Sequence, residues 1–303
     1  MDIRFDRRTA VVTGAGGGLG RSHALLLAAR GANVVVNDPA PAKTEDGVRP
    51  ADAVVAEILS AGGSAVADHG SVMDPADAEA MVSGAVQRFG GIDILVNNAG
   101  FLRDRSFAKM SIDEFNDVIS VHLAGAAYCT RAAWPHMRQA GYGRVVLTTS
   151  NAGLYGNFGQ ANYSAGKMGL VGLMNVLRQE GARHGILVNC IAPMAATPMT
   201  EAILDEETKA AFDPALASAA VAYLCSEACM DTGRIVAAAA GYFAQIKVIS
   251  SAGVLAPADV PVTPETVASL WSQTLDFSDP QDFGSAQEEM EHIARLRGAR
   301  ADG

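Results

Sequence analysis

Two patterns alternate along the chain. Short apolar, β-branched runs at Thr9–Thr13, Asn33–Asn37, Ser64–Ala67, Ile92–Val96, Arg144–Thr149, Leu187–Ile191 and Arg234–Ala238 read as strands. Helical spacing at Leu19–Arg30, Ala51–Ala61, Pro75–Phe89, Ile112–Ala140, Gln160–His184 and Pro214–Cys225 fills the intervals. Apolar strands separated by helices imply a parallel sheet covered on both faces. Right-handed crossovers then give an α/β fold with a doubly wound parallel sheet. The rhythm ends near residue 244, so 1–244 reads as one large domain and 245–303 as a C-terminal extension. Helices are expected in the extension at Thr266–Leu275 and Ala286–Arg297. It is too poor in strands for a second catalytic domain and is expected to pack on the body or on a partner subunit. Pro39–Pro50 lengthens the connection after the second strand, as a plain loop or as a flap near a ligand.

Composition narrows the classes. With 49% hydrophobic and 18% charged residues, the 303-residue chain can build a full core. A net charge of −10 without a basic stripe argues against nucleic acid. The cysteines, Cys129, Cys190, Cys225 and Cys229, have no further ligands clustered with them and read as free thiols, with no metal site. The start, MDIRFDRRTAVVTGAG, reaches a strand at once, and the apolar run Ile235–Phe243 is too short for a membrane span. A cytoplasmic location is the expectation.

The chemistry gathers at strand ends. The first strand runs into Thr13-Gly14-Ala15-Gly16-Gly17-Gly18-Leu19-Gly20 and then a helix. Glycine permits the tight turn and close approach of a pyrophosphate, and the helix N-terminus offers N–H groups and a positive dipole end. Gly14, Gly18, Leu19 and Gly20 are therefore expected to bind a dinucleotide. Asp38, ending the second strand, can accept from ribose hydroxyls and would repel a 2′-phosphate, which favours NAD over NADP. Tyr163 and Lys167 stand at i,i+4 on one helix face. An ammonium beside a phenol is expected to lower the phenol's pKa and make it a usable base. Lys167 can also donate to ribose hydroxyls. Ser150 ends the fifth strand thirteen residues before Tyr163 and can hold a substrate oxygen.

The spacing TGxxxGxG, the segment Asn97-Asn98-Ala99-Gly100 and the YxxxK pair resemble the short-chain dehydrogenase/reductase superfamily, whose fold is Rossmann-like. That resemblance implies further cofactor contacts at Val72, Asn98, Ala99, Gly100, Pro193 and Thr197. It also marks departures. Ser71-Val72 replaces an Asp-Val pair, Met194 replaces a glycine, and His122 stands where the superfamily has a catalytic Asn. His122 reads either as a packing residue or as a participant in a relay toward Lys167. The loop Pro198–Asp213 is the expected substrate lid.

A narrower likeness is carried by Val34–Asp38, Asn97–Phe107, Val121–Gly125, Tyr155–Ser164, Tyr223–Cys229 and Thr263–Trp271. These resemble the (3R)-hydroxyacyl-CoA dehydrogenase region of the type 2 multifunctional enzymes of peroxisomal β-oxidation. The resemblance implies NAD-dependent oxidation of a 3-hydroxyacyl-CoA, with a fatty acyl or steroid side chain, by a homodimer whose extension borders the active site. Arg103, Arg105 and Lys109 are then either contacts for CoA phosphates or a solvated basic patch. Oxidation of a free steroid or other alcohol is the alternative within enzymes. An NAD-binding sensor without chemistry is the alternative outside them, opposed by the intact Ser150, Tyr163 and Lys167.

Overall fold

A computed structural model describes residues 2–42, 47–195 and 211–301. The chain forms two compact units, Met1–Gln245 and Ile246–Gly303.

The first unit is built on β1 (Thr9–Thr13), β2 (Asn33–Asn37), β3 (Ser64–Asp68), β4 (Ile94–Asn97), β5 (Gly143–Thr148), β6 (Ile186–Met194) and β7 (Ile235–Ala239). With β8 (Tyr242–Ile246) they make an eight-stranded sheet in the order β3-β2-β1-β4-β5-β6-β7-β8. The first seven pair in parallel; Val12 of β1, for example, lies opposite Val36 of β2 and Val96 of β4. The chain runs outward from β1 to β3 and then crosses back to β4. Strand order therefore reverses between β1 and β4, and a crevice opens there at the C-terminal strand ends. The central strands are uniformly apolar because both faces are covered: Val11, Val12, Val34, Val36, Leu95, Val96 and Val146 are all buried.

The covering helices are α1 (Gly18–Ala29), α2 (Pro50–Ser60), α3 (Pro75–Phe89), α4 (Ile112–Ile119), α5 (Gly125–Ala140), α6 (Asn151–Tyr155), α7 (Ala161–Gly181) and α8 (Pro214–Cys225). Their ends follow local chemistry. Asp74 accepts from the Ala76 amide ahead of Pro75, and Gly90 closes α3 at φ 87°. Ser111 and Glu114 form a reciprocal capping box on α4. Asp213 caps α8 ahead of Pro214. His23 of α1 and Ser218 of α8 form a buried hydrogen bond of 2.7 Å between those two helices.

Three elements differ from the sequence expectation. Ile112–Ala140 is not one α-helix, because a π-helical turn at Ser120–Ala124 separates α4 from α5. Residues 151–155 form a short helix that their Gly-rich surroundings concealed, capped by Ser150. The chain also continues past β7 into β8 through Ala240 (φ 49°) and Gly241 (φ 78°), the positive-φ pair of a tight hairpin. The expected 39–50 loop is described only outside residues 43–46, and its end, Pro50, already opens α2. Among the described residues no helix is long and apolar enough to cross a membrane, and no cluster of metal-ligating side chains occurs.

The second unit holds α9 (Pro264–Thr274) and α10 (Ala286–Ala301), close to the expected helices. Thr263 and Thr266 form the cap of α9. Lys247 pairs with Asp282, and Ser250 bridges to Gln281.

Candidate active site

The glycine loop between β1 and α1 is shaped by contacts that only hydrogen can make. Gly14 has φ 62°, and a β-carbon there would meet Ala99 Cα at 2.7 Å. One on Gly20 would meet the Gly14 carbonyl at 2.3 Å. Gly16 packs against Asp38 and Pro50, and its amide donates to Asp38 Oδ2 at 3.1 Å. Gly17 is different, since nothing lies within 4 Å of its β-position. It precedes α1, which has no side-chain cap and no acidic residue in its first turn. That open helix N-terminus, lined by backbone and fenced by one carboxylate, fits the pyrophosphate and ribose of a dinucleotide. Gly16 and Gly17 were absent from the sequence-derived contacts, because a motif of spaced glycines does not reveal which ones face open space.

The residues Asn98 and Ala99 serve first as a clamp on this loop. Both amides donate to Thr13 Oγ1 at 3.0 Å, and Asn98 Nδ2 donates to the carbonyls of Thr13 and Gly14 at 2.9 and 3.2 Å. The end of β4 is thus tied to the turn after β1. Asn97 Nδ2 donates to Thr130 Oγ1 of α5 at 3.0 Å. Val72 is buried and lines a narrow crevice together with Thr13, Asn97, Ala99, His122 and Lys167. Ser71, in place of the carboxylate, donates its amide to Asp77 Oδ2 at 2.8 Å. Despite Met194, β6 stays paired with β7 through Pro193 opposite Ala238 and Met194 opposite Ala239. Thr197 and most of the expected lid lie outside the described residues.

At the neighbouring strand end stand Ser150, after β5, and Tyr163 and Lys167 on α7. Ser150 Oγ accepts the Ala152 amide at 3.2 Å and lies 3.1 Å from Asn151 Oδ1. Lys167 is buried, and its ammonium donates to the Thr148 carbonyl at 2.5 Å. Gly153 of α6 admits the lysine, since a β-carbon there would sit 2.7 Å from Lys167 Cβ. Lys167 Nζ is 5.5 Å from the centre of the Tyr163 ring. His122 lies perpendicular to that ring at 5.1 Å, with Nε2 2.9 Å from the Phe101 carbonyl. The sheet has thus gathered Ser150, Tyr163, Lys167 and His122 beside the crevice lined by the clamp residues.

The electrostatics correct one expectation. Burial is the largest influence on Tyr163 and holds its phenol above the ordinary value; Ser150 pulls it down and Asp104 pushes it up. Burial outweighs the lowering that a neighbouring ammonium would bring, so the phenol stays above that value. Burial also pushes Lys167 down to about 7. His122 is pushed down to about 3 by burial and then by Lys167, so it is neutral. Asp104 was missed in the sequence; Gln160 Nε2 holds its carboxylate at 2.8 Å. Arg105 is ion-paired with Glu114 at 2.8 Å and Arg103 stacks over Phe101 at 4.8 Å, so both basic side chains already have partners.

A parallel doubly wound sheet with this glycine turn and a Ser–Tyr–Lys constellation defines a nucleotide-dependent oxidoreductase. The model of the short chain dehydrogenase family matches residues 8–208, and the chain belongs to that family. It is 50% identical over 290 residues to a peroxisomal multifunctional enzyme type 2 of Drosophila melanogaster, covering 94% of this chain and 48% of that protein. The chain therefore spans about half the length of that relative. It is 44% identical over 201 residues to a hydroxyacyl-CoA dehydrogenase of Mycobacterium tuberculosis, covering 64% of this chain and 62% of that one. A short chain dehydrogenase from Mycobacterium avium superposes with a TM-score of 0.80 at 41% identity, covering 91% of this chain and 97% of that chain.

Proposed function

We propose that the protein is an NAD-dependent dehydrogenase that oxidises the secondary alcohol of a 3-hydroxyacyl-CoA to the ketone. The observation that carries the chemistry is the convergence of Ser150, Tyr163 and Lys167 beside the crevice lined by Thr13, Asn97 and Ala99. The substrate class is supported by the relatives named for hydroxyacyl-CoA and multifunctional enzymes.

Bound NAD would supply the hydride acceptor. Asp38, fixed by the amides of Gly16 and Ala40 at 3.1 and 2.9 Å, would accept from an adenosine ribose and disfavour a 2′-phosphate. The N-terminus of α1 would hold the pyrophosphate, with Gly14, Gly18, Leu19 and Gly20 shaping its approach. Val72, Asn98, Ala99, Gly100 and Pro193 would complete the cofactor wall, and Thr197, expected there from the sequence, lies outside the described residues. Ser150 donates to the substrate oxygen and orients it. Tyr163, as phenolate, would take the hydroxyl proton of the alcohol, whose hydride the bound cofactor would accept. Lys167, when protonated, favours the phenolate by its charge and has further N–H donors for ribose hydroxyls. Its link to the Thr148 carbonyl keeps it on the β5 side of the site.

The test is NADH formation from NAD and a (3R)-hydroxyacyl-CoA. Turnover with NAD that exceeds turnover with NADP and with free steroid alcohols supports the reading. Faster turnover of the free alcohol moves the assignment to an alcohol dehydrogenase, and NAD binding without turnover of any alcohol to a sensor.

A further inference from the structure

The backbone at Gly100 leaves a slot that the His122 ring occupies. A β-carbon on Gly100 would lie 2.0 Å from His122 Cε1 and 2.6 Å from Nδ1. Gly100 is not among the positive-φ glycines, so it is the ring that requires glycine here. Nε2 lies 2.9 Å from the Phe101 carbonyl, which can only accept. Nε2 therefore carries the proton and Nδ1 is the bare nitrogen. Nδ1 is buried without a hydrogen-bond partner among the described residues. On its other side the ring meets Tyr163 at an interplanar angle of 89° and 5.1 Å between centroids, the edge-to-face geometry of an aromatic pair. His122 lies in the π-helical turn Ser120–Ala124, and such turns inside helices are frequent at functional sites.

We propose that His122 is a positioning residue for Tyr163: its neutral ring, seated in the Gly100 slot and anchored on the Phe101 carbonyl, fixes the phenol ring and keeps water from that side. The proposal rests on Tyr163 acting as the base. Four groups face the phenol: Ser150 from the end of β5, Asp104 from the segment after β4, Lys167 one turn along α7, and His122 from the π turn. His122 carries no charge, so it acts through orientation and burial. Removing its ring relieves the burial that holds the phenol high, and the phenol then titrates at lower pH.

The experiment labels the tyrosines with ¹³C at Cζ and follows Tyr163, identified by its missing signal in Tyr163→Phe, through a pH titration without cofactor. Wild type, His122→Ala and His122→Asn are compared, and kcat and KM are measured on the same proteins. Tyr163 is expected to titrate at lower pH in His122→Ala. kcat is expected to fall about 10- to 100-fold, the scale of a misplaced catalytic group, with KM for NAD within about two-fold. His122→Asn keeps a donor for the Phe101 carbonyl but lacks the ring, and should behave like His122→Ala. Wild-type titration and kcat in His122→Asn would overturn the proposal, leaving the residue a hydrogen-bonded packing element. Gly100→Ala displaces the ring without removing it. In the titration without cofactor it should shift Tyr163 as His122→Ala does and add nothing to His122→Ala, whereas a full further shift in the double variant would contradict the proposal. The titration is independent of turnover. An inactive wild type would remove the proposed function, and an unmoved Tyr163 titration would remove the His122 inference.

Discussion

The ammonium of Lys167 donates to the Thr148 carbonyl at 2.5 Å and stands 5.5 Å from the centre of the Tyr163 ring. Helical spacing puts the two residues on one face, but the ammonium is anchored to the end of β5. Burial holds both groups away from their ordinary values: Lys167 is lowered to about 7 and Tyr163 is raised.

Burying Lys167 carries a stability cost with a definite pH signature. The unfolded lysine keeps its ordinary value of 10.5, and the folded one titrates at about 7. Between those values the unfolded chain binds more protons, so stability rises with pH across that window and is level below it. Lys167→Met should therefore be more stable than wild type at pH 7 and below, by at least about 3 °C in Tm. The difference should shrink as pH approaches 10. A cofactor-free variant that melts lower than wild type at neutral pH would mean that the bond to Thr148 outweighs the burial.

Two glycines of one loop should separate stability from binding. Gly14→Ala forces a side chain into φ 62° and against Ala99, and is expected to cost more than about 1 kcal/mol of stability. Gly17→Ala points into open space at an extended backbone, so thermal unfolding should stay within about 1 °C of wild type, the scale of a neutral surface change. Its NAD affinity should nevertheless fall about ten-fold or more, because the methyl occupies the path of the pyrophosphate. Calorimetric titration with NAD beside a melting curve checks both. Retained affinity in Gly17→Ala would move the dinucleotide elsewhere.

Asp38 is expected to set the cofactor. Asp38→Asn keeps an oxygen for the amides of Gly16 and Ala40 and removes the negative charge. KM for NADP should fall about ten-fold while KM for NAD rises, since one charge near a phosphate is worth about 1.4 kcal/mol or more at short range. Unchanged selectivity would place the discrimination on another residue.

Much of this was readable in the chain because the relevant physics is local or periodic. Buried parallel strands are apolar on both faces, so β1 and β2 were found to the residue, while β4, β5 and β7 differ at their ends by a residue or two. The glycine turn, Asp38, Ser150, Tyr163 and Lys167 follow from spacing and strand ends. What was not readable depends on distance in space. A π insertion leaves the helical periodicity of 112–140 almost untouched, so the break beside His122 is invisible in the sequence. The pairing of Gly100 with His122 joins residues 22 positions apart in the chain. The direction of the Tyr163 shift is set by burial and then by Ser150 and Asp104, none of which YxxxK encodes. Asp104 owes its position to the amide of Gln160, a contact no motif announced.

The central claim is tested most directly by following NADH formation from NAD and a (3R)-hydroxyacyl-CoA with wild type and Tyr163→Phe side by side. The account predicts turnover in wild type, a fall of about 10²- to 10⁴-fold in the variant, the range for loss of a general base, and NAD affinity unchanged between the two. Equal turnover in both proteins would contradict the assignment of Tyr163 as the base, and a wild type that binds NAD yet turns over neither the thioester nor a free alcohol would contradict catalysis itself.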